Sequence, residues 1–166
     1  MKKIFIVLAM LFFVSSVNAR VLRSVKRPLI EVGPKASLYI SKDSQLGIGV
    51  EMVFNPLKSL GIRLDLTEVR FGSTTFYLNQ EGSLDALFYY PMKGRQTYFH
   101  SGFGMKTHDT GAGSKTHFSI RGGLGLNHPL NPKVDLFVEP GIIISSNGDN
   151  DVMVRLSVGG RFGILR

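Results

Sequence analysis

The chain has 166 residues, enough for one domain and short for two, and its lack of cysteine excludes both a disulfide framework and a lipid-anchored cysteine. Its formal charge of +8 would suit nucleic-acid binding, but an N-terminal export signal excludes nucleic acid as the normal partner.

The first 19 residues have the pattern of a secretory signal peptide. Lys2 and Lys3 precede the apolar run Ile4–Val14, and Val17-Asn18-Ala19 places residues that a signal peptidase accepts at the cleavage site. The run is shorter than the roughly 20 residues of a membrane-spanning helix. Cleavage near Ala19 removes 19 residues and leaves 147, and the loss of Lys2 and Lys3 lowers the charge from +8 to +6. Residues 20–28, with four bases, are predicted to be a solvated periplasmic lead-in to a domain over 29–166, and the alternative is that these bases contact lipid phosphates or a partner. The bases are Arg20, Arg23, Lys26 and Arg27.

The first half of that domain contains four stretches in which apolar and polar residues alternate. A period of two predicts strands with one oily and one polar face. Turn residues separate the stretches, among them Ser41–Ser44, Asn55-Pro56 and a loop around Gly72-Ser73. The predicted strands are Leu29–Ile40, Leu46–Phe54, Leu60–Thr67 and about Phe76–Tyr90.

The second half contains four more such stretches. The last of them alternates strictly over a dozen residues, longer than the roughly 9–11 that a tilted strand needs to cross a bilayer. Pro140 lies inside the seventh and cannot donate to a ladder, so a bulge expected there leaves the faces beyond it open. The predicted strands are Gln96–Met105, Thr116–Leu126, Val134–Ile144 and Asp151–Arg166.

Eight strands joined by connections too short for parallel crossovers predict an all-β fold. The strand number is even, and no stretch outside the signal peptide carries a helical period. The fold class expected is therefore an eight-stranded antiparallel up-and-down β-barrel.

Charge decides which face of these strands meets lipid. No Asp, Glu, Lys or Arg occupies the apolar positions of the eight strands, and a charge there would cost roughly 2–4 kcal/mol at the bilayer midplane. The opposite positions hold seven acids and five bases, enough to pair with one another. We predict that they form a polar network in the lumen of a transmembrane barrel: Glu31, Lys35, Glu51, Arg63, Asp65, Glu81, Asp85, Arg121, Asp135, Glu139, Arg155 and Arg161.

Glycine and side-chain volume point the same way. Ten glycines share the charged face, where they would make room for long side chains in a narrow lumen. The oily face carries eight aromatic residues and some thirty aliphatic ones in the sequence, which suit an outer band better than a small interior. The alternative is a soluble secreted barrel of the lipocalin type, which would show the same alternation.

Three segments resemble a known family. TYFHSGFGMK, GLGLNHPLNPKVDLFVEPGIII and VRLSVGGRFGI are similar to segments of small outer-membrane barrels of the OmpA-transmembrane-domain and OmpX type. The resemblance covers essentially the whole chain after the signal peptide. It implies both termini in the periplasm and the longer loops outside, at Lys106–Lys115 and Ser145–Asp151. It implies tight inner turns at Asn55–Ser59, Pro91–Arg95 and Asn127–Lys133. The chain departs from the family in lacking tryptophan and in ending on Ile-Leu-Arg.

The function expected is that of a non-enzymatic integral outer-membrane protein of a Gram-negative bacterium, with a plugged lumen and a structural or surface-contact role. The alternative is a lipid A-modifying enzyme, an acyl hydrolase or transferase. His117 and Ser119 lie on one face of a strand, and Glu139 or Asp135 on the next strand could orient the imidazole. The residues after His117-Phe118-Ser119 do not match the deacylase motif, which continues with Asn.

Neither a metal nor a cofactor is expected. The four histidines are scattered and lack ligand spacing, and no helix follows the Gly-rich stretch at 121–125 to make a phosphate loop. The partners expected are outer-membrane lipid, periplasmic chaperones and the barrel-assembly machinery, and the chain is expected to be a monomer.

Overall fold

The alternating stretches form long antiparallel strands in a computed structural model, which describes residues 27–40, 44–71, 76–77, 80–92, 95–109, 114–147 and 149–165. Residues 1–26, which comprise the predicted signal peptide and most of the predicted lead-in, lie outside these ranges. The strands are β1 (Ile30–Ile40), β2 (Gln45–Phe54), β3 (Leu60–Phe71), β4 (Phe76–Tyr77), β5 (Gln80–Met92), β6 (Arg95–Asp109), β7 (Ser114–Asn131), β8 (Val134–Asn147) and β9 (Asp149–Leu165). Within the described part of the chain, no helix is long and apolar enough to cross a membrane.

Eight of these strands close into one barrel. Each pairs with the next along the chain, β3 pairs with β5, and β1 pairs with β9 to complete the ring. The two-residue β4 pairs only with the last residues of β3 and lies outside the ring. The predicted eight-stranded antiparallel up-and-down barrel is confirmed.

The two ends of the barrel are distinguished by where β1 begins and β9 ends. The start of β1, the end of β9, the connections 55–59 and 132–133, and the paired residues Met92 and Arg95 share one end, called the termini end. The other end, called the distal end, holds the end of β1 with the start of β2, the end of β6 with the start of β7, and the end of β8 with the start of β9. Alternation of side chains along each strand then separates an outside from a lumen.

The strand prediction differs from the structure in length. β6 and β7 together take up most of the loop predicted at Lys106–Lys115, and β8 and β9 pair to within one residue of each other. The fourth predicted strand is divided into β4 and β5. Polar residues such as Thr107 and Thr116 pair directly across the β6–β7 hairpin, and a polar strand end carries no apolar period to reveal it.

Two register details also differ. The β2–β3 ladder steps from Val50↔Thr67 to Glu51↔Asp65, so Leu66 is an extra residue in β3. The bulge expected at Pro140 is absent, because β8 keeps one register with β9 through Pro140↔Leu156. The missing N–H coincides instead with an unpaired stretch of the β7–β8 ladder, between Gly123↔Gly141 and Leu126↔Val138.

The outside of the barrel is apolar. Large hydrophobic side chains are exposed along every long strand, for example Leu84 at 56%, Phe103 at 71% and Leu124 at 65%. No Asp, Glu, Lys or Arg occupies an outward position among the strand residues whose side chains are described. An exposed apolar surface of this extent on a water-soluble monomer would be an aggregation hazard.

Candidate functional site: the polar lumen

The lumen is filled with ionised side chains. Eleven of the twelve residues predicted to line it have described side chains, and ten of these are buried. Asp135 is half-buried near the termini end, and the side chain of Glu81 lies outside the described residues, although its backbone is in β5. The buried ten comprise five acids and five bases: Glu31, Lys35, Glu51, Arg63, Asp65, Asp85, Arg121, Glu139, Arg155 and Arg161.

Glu139 is the centre of this network. Its Oε2 accepts hydrogen bonds from Arg63 Nη1 at 2.5 Å and from the Tyr98 hydroxyl at 2.8 Å. Its Oε1 accepts one from Arg155 Nη2 at 2.7 Å and lies 3.3 Å from His100 Nε2. Strands β3, β6, β8 and β9 are thereby joined across the lumen through one fully buried carboxylate.

Arg63 connects Glu139 to two further acids. Its Nε and Nη2 donate to Asp85 Oδ2 at 2.9 and 2.5 Å, and its Nη1 lies 3.5 Å from Glu51 Oε2. Asp85 faces Arg63 directly in the β3–β5 register, which explains this close contact. A guanidinium can serve several carboxylates at once because its five N–H groups form a rigid fork.

Arg161 fills the lumen nearer the termini end. Its Nε donates to Glu51 Oε1 at 2.5 Å, and its Nη1 and Nη2 donate to Asn127 Oδ1 and the Tyr98 hydroxyl, both at 3.2 Å. The guanidinium carbon lies 4.4 Å from the centroid of the Phe137 ring. Hydrogen bonds and cation–π contact together immobilise this charge.

Asp65 takes the same role toward the distal end. Its Oδ2 accepts a hydrogen bond from Lys35 Nζ at 2.6 Å and one from the Ser83 hydroxyl at 3.2 Å. Arg121 Nη1 and Arg155 Nη1 each lie 3.6 Å from the same oxygen. The network therefore extends over most of the barrel length as overlapping ion pairs.

Lumen glycines make room for the large side chains. A Cβ at Gly125 would lie inside the Tyr98 ring, and one at Gly159 would lie 2.7 Å from the ring of Phe137. A Cβ at Gly104 would overlap the Arg121 guanidinium. These contacts give the physical reason for the glycines on the charged face.

Apolar clusters bound the network on both sides. Val53, Leu87, Tyr89 and Tyr98 pack together in the half of the barrel toward the termini end. Tyr39, Ile143 and Met153 pack together toward the distal end. These inward apolar residues were not part of the predicted polar network, which comprised only charged residues, although their strand parity places them inside.

The last lead-in residues cover the termini-end mouth. The Arg27 guanidinium lies 3.2 Å from the centroid of the Tyr89 ring and donates to Gln96 Oε1. The carbonyl of buried Pro28 accepts a hydrogen bond from Asn55 Nδ2 at 3.0 Å, and Asn55 Oδ1 accepts one from the Tyr89 hydroxyl at 3.1 Å. Arg27 was expected to be solvated, but it is half-buried because the Tyr89 face offers a cation site.

The residues of the enzymatic alternative do not meet. Ser119 is buried and His117 half-buried in the distal part of β7. The register Leu126↔Val138 puts Glu139 level with Gly125, eight residues from His117, or about 26 Å along the strand. Asp135 pairs with Pro129 and is farther still. Glu139 is instead occupied by Arg63, Arg155 and Tyr98.

No group of three or more His, Cys, Asp or Glu side chains suited to a metal ion occurs among the described residues. Glu51, Asp85 and Glu139 are engaged by guanidinium groups, and Asp65 is engaged by the Lys35 ammonium group. The described chemistry is that of a packed ionic core.

Solved structures with this architecture provide the comparison. The chain is similar to the N-terminal β-barrel domain of Pseudomonas aeruginosa OprF, with a TM-score of 0.57 and 15% identity over 80% of this chain and 97% of that one. It is similar to Neisserial surface protein A, with a TM-score of 0.64 and 11% identity over 81% and 96% of the two chains. It has the fold of a small outer-membrane β-barrel.

A third similar structure is Ail, the attachment invasion locus protein of Yersinia pestis, in complex with the heparin analogue sucrose octasulfate. Its TM-score is 0.50, with 13% identity over 80% of this chain and 95% of that one. No protein-family model matches the sequence, and no curated protein matches it. The sequence resemblance to barrels of the OmpA and OmpX type is confirmed as a likeness of fold.

Proposed function

We propose that this chain is an integral outer-membrane protein of a Gram-negative envelope, a non-enzymatic barrel with a structural or surface-contact role. The observation that carries the proposal is the pairing of an apolar exterior with an ionic interior. Ten charged side chains are buried in the lumen, and the exterior carries apolar side chains instead. This arrangement suits a barrel whose surroundings are hydrocarbon rather than water. A water-soluble barrel would have the reverse arrangement.

The closed lumen supports a role other than conduction. Side chains of the central network are at most 5% exposed, and aromatic and aliphatic residues pack on both sides of it. An eight-stranded barrel is just wide enough for its own side chains, and here they are large. The lumen is proposed to be a polar core that holds the strands together.

The membrane part of the proposal is tested by gel mobility after extraction in detergent. The mature chain is expected to migrate compactly when unheated and to shift when boiled, because a closed barrel resists the detergent until heat opens it. Planar-bilayer recordings of the same sample are expected to show no regular conductance steps. Identical mobility before and after boiling would contradict a membrane barrel, and steady conductance would contradict the closed lumen.

A charge on the outside of the barrel gives a sharper test. Leu84→Arg is expected to destabilise the barrel in lipid vesicles by about 2–4 kcal/mol, because Leu84 is 56% exposed on the outer face of β5. Leu57→Arg is the matched control, since Leu57 is 59% exposed but lies in the connection 55–59 at the edge of the band, where a charge costs only about 0–1 kcal/mol. Urea unfolding followed by the gel shift measures both, and equal stability of the two variants would mean that the band does not face hydrocarbon.

A further inference from the structure

The termini end of the barrel is basic. The connections 55–59 and 132–133 contain Lys58 and Lys133, whose side chains are exposed. A third lysine, Lys93, stands in the sequence between Met92 and Arg95, which pair with each other. No acid occurs in any of these three connections or in the lead-in 20–29, which adds four bases.

The distal end has a different balance. In the sequence, the segments 41–44, 66–81, 106–116 and 147–151, which contain or connect the distal strand ends, hold six acids and four bases. The ten buried charges of the lumen do not produce this difference, because they are five acids and five bases, and half-buried Asp135 adds only one acid near the termini end. The excess of positive charge is therefore concentrated where the chain enters and leaves the barrel.

Exposed apolar residues lie beside these lysines. Leu57 directly precedes Lys58 and is 59% exposed, and Leu130, three residues before Lys133, is 53% exposed. A turn surrounded by water gains nothing from an exposed leucine, whereas a turn at the edge of a bilayer can bury it among acyl chains. The lysine stem then reaches outward with its ammonium group at the level of the headgroups.

We propose that Lys58 and Lys133 at the termini end bind the anionic headgroups of phospholipids, such as phosphatidylglycerol, in the leaflet on that side. They lie in the β2–β3 and β7–β8 connections, on different parts of the rim rather than in one patch. Separate point charges suit several lipid phosphates better than one compact anion. The inference rests on the proposed function, because it requires an embedded barrel.

A soluble acidic polymer is the other partner that positive charge would attract. The adjacent leucines favour lipid, since an acidic polymer in water offers them no apolar surface. The two connections also lie at the edge of the outer apolar band, where Leu165 is 52% exposed at the end of β9. Lipid headgroups meet that edge in any membrane that holds the barrel.

The chain contains no tryptophan, so one introduced residue can report on nearby lipid. Leu57→Trp places the reporter next to Lys58, and Phe118→Trp places one on the outer face of β7 toward the distal end, where Phe118 is 64% exposed. Each variant is refolded into vesicles with brominated phosphatidylglycerol or brominated phosphatidylcholine as quencher. The ratio of the two quenching efficiencies gives the local preference for the anionic lipid.

We expect phosphatidylglycerol to be preferred at least about twofold at the Leu57→Trp reporter, since one lysine near an anionic surface can be worth up to about fivefold in local concentration. The preference should vanish in the added double variant Lys58→Gln/Lys133→Gln. The matched pair Lys106→Gln/Lys115→Gln removes the same charge from the distal part of β6 and β7 and should leave it intact. At Phe118→Trp we expect no preference.

Three results would overturn the inference: equal quenching by both lipids at Leu57→Trp, equal loss of preference in the two double variants, or displacement of the anionic lipid by soluble polyglutamate at matched charge. The gel shift on boiling is measured on every sample. A barrel that shifts but shows no preference retains the proposed function and loses only this inference, whereas a chain that never shifts fails the proposed function first.

Discussion

Glu139→Gln is expected to lower the free energy of unfolding by about 3–5 kcal/mol, the usual cost of removing one partner from a buried ion pair. Glu139 receives hydrogen bonds from Arg63, Arg155 and Tyr98, and it is 0% exposed. The amide keeps the shape of the side chain but leaves two guanidinium groups with less compensating charge in a medium that water does not enter. Urea titration of the refolded barrel in vesicles, read by the fraction that still shifts on boiling, gives the value.

Glu31→Gln is the matched control for this variant. Glu31 is also buried, at 2% exposed, but the described contacts place no cation within salt-bridge distance of it, and its Oε2 has no hydrogen-bond partner. A much smaller change is therefore expected. The double variant Glu139→Gln/Arg155→Gln should recover part of the loss, because it removes an uncompensated charge as well. Equal effects of the two single variants would show that Glu139 is not the centre of the network.

Gly125→Ala is expected to cost about 3 kcal/mol or more, or to prevent folding, because overpacking a tight interior forces its neighbours to move. The three atoms nearest to a Cβ at Gly125 are all ring carbons of Tyr98. That ring is 1% exposed, and its hydroxyl is held by Glu139 and Arg161. Displacing it would break both hydrogen bonds along with the packing.

Gly122→Ala lies three residues away on the same strand and provides the comparison. Gly122 is on the outer face, where the atom nearest to an added Cβ is the carbonyl oxygen of His100 at 3.4 Å. Since glycine is a poor strand residue, this substitution should be neutral or raise stability by up to about 1 kcal/mol. The same urea titration compares the two, and a Gly125→Ala barrel as stable as Gly122→Ala would refute the close packing of Tyr98.

Periodicity was sufficient to predict the barrel, and ten of the twelve charged residues that it assigned to the lumen are buried. Residues such as Arg63 and Arg155 could be placed inside because a strand alternates strictly, so an apolar outer face determines the inner one. The same rule also implied Leu87 and Met153 as inward residues, but they carry no charge and so were absent from the predicted polar network. The partners within the lumen were not predictable, since they depend on the registers of non-adjacent strands.

Other features left no mark in the sequence. The extra residue at Leu66 belongs to a stretch whose residue types are ordinary for a strand, and the bulge arises from pairing with β2. Nothing in the sequence distinguishes Arg27 from the other bases of the lead-in, but its guanidinium group packs on the face of Tyr89 at the termini end of the barrel. Pro140 predicted a local irregularity because it has no backbone N–H. The irregularity is an unpaired stretch of the β7–β8 ladder rather than a shift in register.

The pairing of β1 with β9 determines when during assembly the molecule can become stable. The ion pair between Glu51 and Arg161 spans 110 residues, and that between Arg63 and Glu139 spans 76. A partly assembled sheet would hold acids and bases whose counterparts have not yet arrived, and closing so long a loop is entropically slow. Folding should therefore be all-or-none and late, with a chain truncated before β9 unable to keep even its first hairpins in place.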